Sequence, residues 1–436
     1  MKIRFVTLGC KLNFAESSAI GKALLQQGHT RAKQGEEADI CVINTCSVTD
    51  NADHKDRQTI HRIHRQNPNA IIIVTGCYAQ LQPEQIAQIE GVDYVLGQNE
   101  KYEITQLVDK IERLRDSLED TSLQDAASGY SLEAQKIRVA NIREVEEFHG
   151  AYSKDDRTRC FLKVQDGCNY FCTYCTIPYA RGKSRNPAIS DIIKDAQEAI
   201  SQGAKEIILT GVNIGDFGRS TGESFLELLR ALDGLEAKGM DYRIRISSCE
   251  PNLLTDEIID FVAQSKHFAP HFHIPLQSGS NEVLSIMKRR YTRELFEERV
   301  QHIKQVMPHA FIGVDCMVGV RGETEECFND YVDFIKRLDV SQLHVFTYSE
   351  RANTRMLELD VCIVPKAERQ RRSKILHEIS EEKTRTFYAN QTGREAIVLW
   401  ESKKEGDQMA GFTENYVKVY RPYDKAKVNT FEVIRL

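Results

Sequence analysis

The chain has 436 residues, 41% apolar and 28% charged, which excludes a collagenous or wholly disordered polymer. At roughly 150 residues per domain this length predicts about three domains, and no apolar run approaches the roughly 20 residues of a bilayer span. Lys plus Arg is 58 and Asp plus Glu is 64, a net charge of -6, so any nucleic-acid surface must be local rather than a property of the whole.

The first run, Met1 to Gly9, is a short strand ending in a turn, without the basic flank and long apolar stretch of a secretion signal, which predicts a cytoplasmic protein that crosses no membrane. Residues 1–115 alternate strand and helix: Ile3 to Leu8, a helix through Ser17 to Gln27, Ile40 to Asn44, a polar helix from Asp53 to Gln66, Ala70 to Thr75, a short helix near Pro83, Tyr94 to Leu96, and a helix from Glu103 to Arg115. This alternation predicts an α/β domain with a doubly wound parallel sheet. Residues 116–152 are polar and weakly periodic, a linker with one helix at most.

Over 153–391 the alternation resumes, with strands at Phe161 to Val164, Glu206 to Leu209, Arg243 to Ser247, His271 to Ile274, Phe311 to Val318 and Leu343 to Phe346. Six βα units predict a partial (β/α)6 barrel, whose functional groups gather at the carboxyl ends of its strands. A long basic helix follows from Lys366 to Gln391, and residues 392–436 carry short alternating runs that predict a small antiparallel β-barrel.

Twelve cysteines in a chain without a secretion signal point to thiolate ligands or reactive thiols rather than disulfides. Cys168, Cys172 and Cys175 stand on one loop directly after a strand. Three thiolates cannot close a four-ligand zinc site, whereas a cubane held by three leaves one iron open; spacing alone leaves both readings standing. Cys10, Cys46 and Cys77 each end a parallel strand, so the sheet brings all three to one rim as a second ligand set. Cys41, Cys160, Cys249, Cys316, Cys327 and Cys362 are expected to be packing residues.

Motifs along nearly the whole chain resemble the tRNA methylthiotransferases, a radical S-adenosylmethionine (SAM) family. They are Thr7-Leu-Gly-Cys-Lys-Leu-Asn13 with Glu16-Ser17, Asn44-Thr-Cys-Ser-Val-Thr49, Gly76-Cys-Tyr-Ala-Gln80, Gln165 to Gly182 around the Cys168 loop, Gly211-Val-Asn-Ile-Gly215, Ser247-Ser248 with Glu250-Pro251, His273 to Gly279, and Gly411 to Lys418, which is similar to a TRAM barrel. Lys11 after the first Cys resembles the branch that thiomethylates threonylcarbamoyladenosine beside the anticodon; the isopentenyladenosine branch typically has Gln there and the ribosomal-protein branch Pro. Two loops depart from the family pattern, at Val320-Arg321 and at Thr347.

The resemblance implies two 4Fe-4S clusters, one on Cys168, Cys172 and Cys175 that binds and cleaves SAM, and an auxiliary one on Cys10, Cys46 and Cys77, both opening to one cavity. It implies SAM or substrate contacts from Gly211, Gly215, Ser247, Ser248 and Gln277 after barrel strands. The tRNA anticodon stem-loop is the implied partner, met by Lys288, Arg289, Arg290, Arg371, Arg372, Tyr416 and Lys418, with phosphate contacts and base stacking supplying affinity. An external one-electron reductant of the flavodoxin or ferredoxin type and a monomeric state complete these expectations. A non-enzymatic iron-sulfur RNA-binding redox sensor is the reading from another class.

Overall fold

A computed structural model of the chain describes residues 1–33, 35–119, 136–153, 158–236 and 239–436. Two units emerge, Met1–Glu147 with Thr176–Lys183, and Phe148–Cys175 with Ser184–Leu436.

The first unit is built on β1 (Lys2–Thr7), α1 (Lys11–Gln26), β2 (Thr30–Arg31), β3 (Ile40–Thr45), α2 (Asp50–Gln66), β4 (Ile71–Gly76), α3 (Cys77–Leu81), α4 (Pro83–Ala87), β5 (Tyr94–Leu96), α5 (Ile104–Glu119) and β6 (Ile137–Arg138). Its six strands are all parallel, in the order β2-β1-β3-β4-β5-β6. ICVINT in β3 is buried at every position and IIIVTG in β4 at all but its first, as central strands covered on both faces require. One apolar core joins β3 and β4 to Ile60 and Ile63 of α2. A second joins the sheet to Ile20 and Leu24 of α1 and Leu107 and Ile111 of α5. Helices therefore cover the two faces, the doubly wound arrangement that the alternation predicts. The helix expected near Pro83 is α4, and a further short helix, α3, opens at Cys77, where Gly76 at φ 102° turns the chain off β4. Part of the stretch predicted as a linker, 120–135, lies outside the described residues.

The second unit contributes β7 (Arg159–Lys163), α7 (Ile189–Ser201), β8 (Glu206–Thr210), α8 (Phe225–Asp233), β9 (Arg243–Ile246), α9 (Asp256–Gln264), β10 (His271–Gln277), α10 (Asn281–Ile286), α11 (Arg293–Val306), β11 (Phe311–Val318), α12 (Glu325–Arg337) and β12 (Gln342–Thr347). The intervening α6 (Ile177–Arg181) belongs to the first unit. Strands β7-β8-β9 and β10-β11-β12 form two parallel sheets, and parallel bridges Ile244 to Phe268 and Ser248 to His273 join β9 to the segment of β10. Six parallel strands with intervening helices around one apolar core make the partial barrel. β10 runs three residues past its predicted end, to Gln277, which takes a left-handed φ of 63°.

After α13 (Lys366–Ala389), strands β13 (Glu395–Glu405), β14 (Gln408–Phe412), β15 (Lys418–Pro422) and β16 (Phe431–Arg435) form one antiparallel sheet ordered β15-β14-β13-β16. A buried charge cluster ties this sheet to the barrel. Glu206, fully buried, holds Arg243 and Arg245. Arg243 donates to the carbonyls of Ile397 (3.0 Å) and Phe412 (2.9 Å), and Arg245 to that of Glu414 (3.1 Å). Burial alone would push the Glu206 carboxyl up, but the two guanidiniums hold it well below the usual carboxylate range.

Candidate functional site

The rim of the first unit draws three cysteines together. Cys10 precedes α1, Cys46 follows β3 and Cys77 opens α3. Glycines allow the approach. At Gly9, φ 94°, a Cβ would stand 2.5 Å from Cys46 Cβ and 2.9 Å from its Sγ; at Gly76 it would stand 2.4 Å from the Thr45 carbonyl oxygen. Burial pushes the Cys46 thiol up to about 12, and the Cys77 and Cys10 thiols add to the rise. Burial likewise raises Cys77, against the opposing charge of Arg181. Burial of this kind disfavours free thiolates, and a cationic metal centre among them would reverse the balance.

Behind the thiols lies a buried polar network. Asn13 donates to the carbonyls of Leu8 and Thr45, both at 2.9 Å, and so clamps the approaches to Cys10 and Cys46. Its Oδ1 accepts from Arg181 at 2.6 Å and from the Cys10 thiol at 3.7 Å. Arg181 also donates to both oxygens of Glu16, at 3.1 and 3.2 Å, and Lys101 Nζ lies 2.6 Å from the same carboxylate. Arg181, Glu16 and Lys101 are each at most 2% exposed. Lys101 in turn holds Gln98, whose amide donates to Cys77 Sγ at 3.2 Å. Two buried cations against one anion leave a positive excess beside the thiols, suited to a site of thiolate ligands. The sequence does not reveal this network, because Arg181 follows the Cys168 loop yet packs with the first unit; Glu16 and Arg181 nonetheless both fall inside the family motifs.

In the second unit, Cys168, Cys172 and Cys175 occupy the loop after β7. Positive φ at Gly167 (70°) and Phe171 (52°) folds it back on itself. Thr173 pins it, bonding through its amide to the Met287 carbonyl (3.1 Å) and through its hydroxyl to that of Ile286 (2.9 Å). Hydrogen-bond donors point at the sulfurs: Tyr170 N to Cys168 Sγ at 3.4 Å and Arg289 Nη1 to Cys172 Sγ at 3.1 Å. Arg289 is itself held by Glu250 and donates to Tyr291 at 3.0 Å. Burial pushes Cys168 up to about 12 and raises Cys172, where Arg289 opposes it. Three soft donors with oriented N–H groups fit the 4Fe-4S cluster that the family resemblance implies. Among the described residues no group of three or more His, Cys, Asp and Glu side chains is set to hold a single metal ion, whereas a cubane takes each thiolate on a separate iron.

The other expected site residues divide. Gly211 and Gly215 abut protein: a Cβ would meet the Gln165 carbonyl at 2.9 Å and Leu253 at 2.7 Å respectively, so their bareness serves loop packing. Ser247 is buried and Ser248 bridges to His273. Gln277 keeps a buried Oε1 without a hydrogen-bond partner. His273, which opens a family motif, and Asp315, 2.8 Å away on the neighbouring barrel strand, form a partly exposed polar pair; the sequence does not single out Asp315. Among the expected RNA contacts, Lys288 and Arg290 are exposed, but the Arg289 side chain is 3% exposed and faces Cys172, not solvent. Arg372 is buried against Glu323, Arg371 is exposed but bound to Glu325 and Glu368, Tyr416 packs among Phe311, Phe412 and His271, and Lys418 pairs with Glu405. Of the six cysteines expected to pack, five are buried; Cys362 is exposed, its place set by its carbonyl, which accepts from Gly322 N at 2.8 Å.

Residues 2–97 match the family described as Uncharacterized protein family UPF0004, and residues 162–335 match the Radical SAM superfamily. The chain is 38% identical to the threonylcarbamoyladenosine tRNA methylthiotransferase MtaB of Bacillus subtilis, over 96% of this chain and 89% of that one. Against the MtaB of Aquifex aeolicus it is 35% identical, over 97% of both. A tRNA-2-methylthio-N(6)-dimethylallyladenosine synthase from Pelotomaculum thermopropionicum is 31% identical, over 94% of this chain and 88% of that one. Among solved structures, the radical SAM methyltransferase TsrM from Kitasatospora setae shares the fold, with a TM-score of 0.55 at 16% identity over 79% of this chain and 72% of that one. A parallel-sheet unit with a rim of thiols, a partial barrel with a three-cysteine loop, and near full-length likeness to these relatives make the chain a member of the radical SAM tRNA methylthiotransferase family, of the MtaB type.

Proposed function

We propose that this chain adds a methylthio group to C2 of threonylcarbamoyladenosine next to the anticodon of tRNA. The supporting observation is its near full-length likeness to proteins named for that activity, joined to a three-thiol loop and a three-thiol rim. Membership of the radical SAM superfamily implies a 4Fe-4S cluster and SAM; in this reading Cys168, Cys172 and Cys175 hold that cluster, and Cys10, Cys46 and Cys77 hold a second. Bound clusters and SAM supply the one-electron and sulfur chemistry that an aromatic C–H demands and no side chain provides.

The chain's own residues bind, orient and shield. Arg289, fixed by Glu250, directs an N–H at Cys172; Gln98, fixed by Lys101, directs one at Cys77. Gln277, with its unsatisfied buried acceptor at the end of β10, is the strongest candidate among the expected SAM contacts; Ser247 and Ser248 directly follow β9. Lys288 and Arg290 are exposed on the surface for phosphate, whereas Arg371 and Lys418 are paired to glutamates there. The enzyme works as a cytoplasmic monomer and draws electrons from an external one-electron reductant.

Anaerobic iron and sulfide quantification, with 5′-deoxyadenosine and tRNA nucleoside analysis, tests the assignment. Cys10→Ala/Cys46→Ala/Cys77→Ala is expected to lose about half the iron and all methylthiolation while still cleaving SAM. Cys168→Ala/Cys172→Ala/Cys175→Ala is expected to abolish cleavage. Loss of cleavage in the first variant with its remaining cluster intact would overturn the division of roles.

A further inference from the structure

The segment Asp50–Gln66 carries three Asp against four Lys and Arg, together with three His, so its composition advertises nothing. Folding separates most of the signs: Asp50 stays exposed in the first turn, but the other two acids do not. Asp53 and Asp56 turn inward and are buried, Asp53 accepting from Ser47 Oγ at 2.7 Å and Asp56 from Cys46 N at 2.9 Å. Arg57 turns to the Tyr78 hydroxyl at 2.8 Å. Lys55, His61, Arg62 and Arg65 are left exposed on the opposite face, spaced along one stripe of the helix.

These four side chains line an open concavity of about 740 Å³, in which Glu90 is the one acidic group. Among the described residues Lys55, Arg62 and Arg65 make no ion pair. This contrasts with Arg371, Arg372 and Lys418, which the sequence marks for RNA but which are already bound to glutamates. An unpaired cation keeps its full attraction for an incoming anion; a paired one must first be freed.

We infer that the outer face of α2 is a second RNA-backbone site, where Lys55, Arg62 and Arg65 bind phosphates of the tRNA substrate. The inference rests on the tRNA reading above and extends its footprint to the first unit. Lys55 and Arg65 lie ten residues apart, about 15 Å along the helix axis. A nucleic-acid strand carries a charge every 3.4 Å or so of its own axis in B-form, so the stripe can meet several successive phosphates. The contact reads no base and contributes affinity and register rather than sequence selection.

Fluorescence anisotropy of a labelled anticodon stem-loop RNA, titrated with anaerobically reconstituted full-length protein at several salt concentrations, tests this. Lys55→Gln/Arg62→Gln/Arg65→Gln is expected to weaken binding roughly 10- to 100-fold near 0.1 M salt, and to flatten the slope of log K against log salt by about 2 to 3. Lys110→Gln/Arg113→Gln/Lys136→Gln removes the same charge from exposed positions elsewhere in the first unit and is expected to leave both nearly unchanged. Iron content and RNA-independent SAM cleavage of the α2 variant should match wild type. If that variant fails to hold iron, Lys55→Gln, Arg62→Gln and Arg65→Gln singly, each flattening the slope by about 1, carry the test. Equal losses in the two triple variants, or no loss in either, would overturn the α2 site alone; wild-type protein that does not bind the RNA would overturn the tRNA reading itself.

Discussion

Asn13 is where loss of one carboxamide should cost most. Its two donated bonds, to the Leu8 and Thr45 carbonyls, hold the approaches to Cys10 and Cys46 against each other, and its oxygen receives the Arg181 guanidinium at 2.6 Å. Each neutral bond contributes about 1 kcal/mol and the charge-assisted one about 1.5 to 3 kcal/mol, so Asn13→Ala should destabilise the rim by about 3.5 to 5 kcal/mol. Asn13→Asp keeps an acceptor for Arg181 but sets a carboxylate against two carbonyl oxygens, and should lose the clamp as well. Hydrogen exchange of β3 and β4 amides reads the stability, and iron with sulfide reads the site. The expected result is faster exchange at the carboxyl ends of these strands and about half the iron, with SAM cleavage retained. Asn13→Ala protein with wild-type exchange and full iron would refute the claim that this side chain assembles the thiol rim.

Three further outcomes follow from the same geometry. Gly76→Ala places a Cβ against the Thr45 backbone at a φ of 102°; since backbone cannot swing aside as a side chain can, the first unit should lose its share of iron and at least about 1 to 3 kcal/mol of stability, measured as for Asn13. Arg289→Met removes the N–H aimed at Cys172 Sγ, and fewer hydrogen bonds to cluster sulfur should lower the cluster's midpoint potential by tens of millivolts in an EPR redox titration; combining it with Glu250→Gln avoids a stranded buried carboxylate, and an unchanged potential in both would exclude the tuning role. Glu206→Gln leaves Arg243 and Arg245 buried without a counter-charge and should loosen the C-terminal sheet by about 3 to 5 kcal/mol near pH 7, read from the fluorescence of the sole tryptophan, Trp400. Because the folded pKa of Glu206 lies below its ordinary 4.5, its contribution is complete above that pH and fades as pH falls toward the folded value, so wild type and variant should converge in acid.

What could be read from sequence was whatever repeats at short range or ends a strand. Apolar runs flanked by turns predict β3, β4, β8 and β11 nearly to the residue, because burial on both faces keeps most of their positions apolar. Cys10, Cys46 and Cys77 are legible as a set because parallel strands share one rim. The partners of those thiols are not. Glu16 and Arg181 stand 165 positions apart, and no periodicity couples them. Arg289 illustrates the converse: in sequence it belongs to a basic run, Lys288-Arg-Arg290, and only the fold shows the middle side chain turning inward to sulfur while its neighbours stay exposed.

That inward turn bears on how an acidic chain meets RNA. Arg181, inside a cysteine motif, and Arg289, outside one, both have side chains of low exposure, and both lie close to thiols, where positive charge favours thiolates. Arg181 is thereby spent on Asn13 and Glu16 behind the rim thiols, Arg289 on the Cys172 sulfur, and Arg372 on a buried glutamate. Charge counted from sequence as a nucleic-acid footprint is thus partly committed to the interior. Beyond Lys288 and Arg290, cations are left for phosphate by segments whose acids are themselves consumed by structure. α2 meets that condition because Asp53 and Asp56 cap and brace the loop of Cys46 from the inner face of the same helix, so support for a thiol loop and exposure of a basic stripe are two consequences of one amphipathic arrangement.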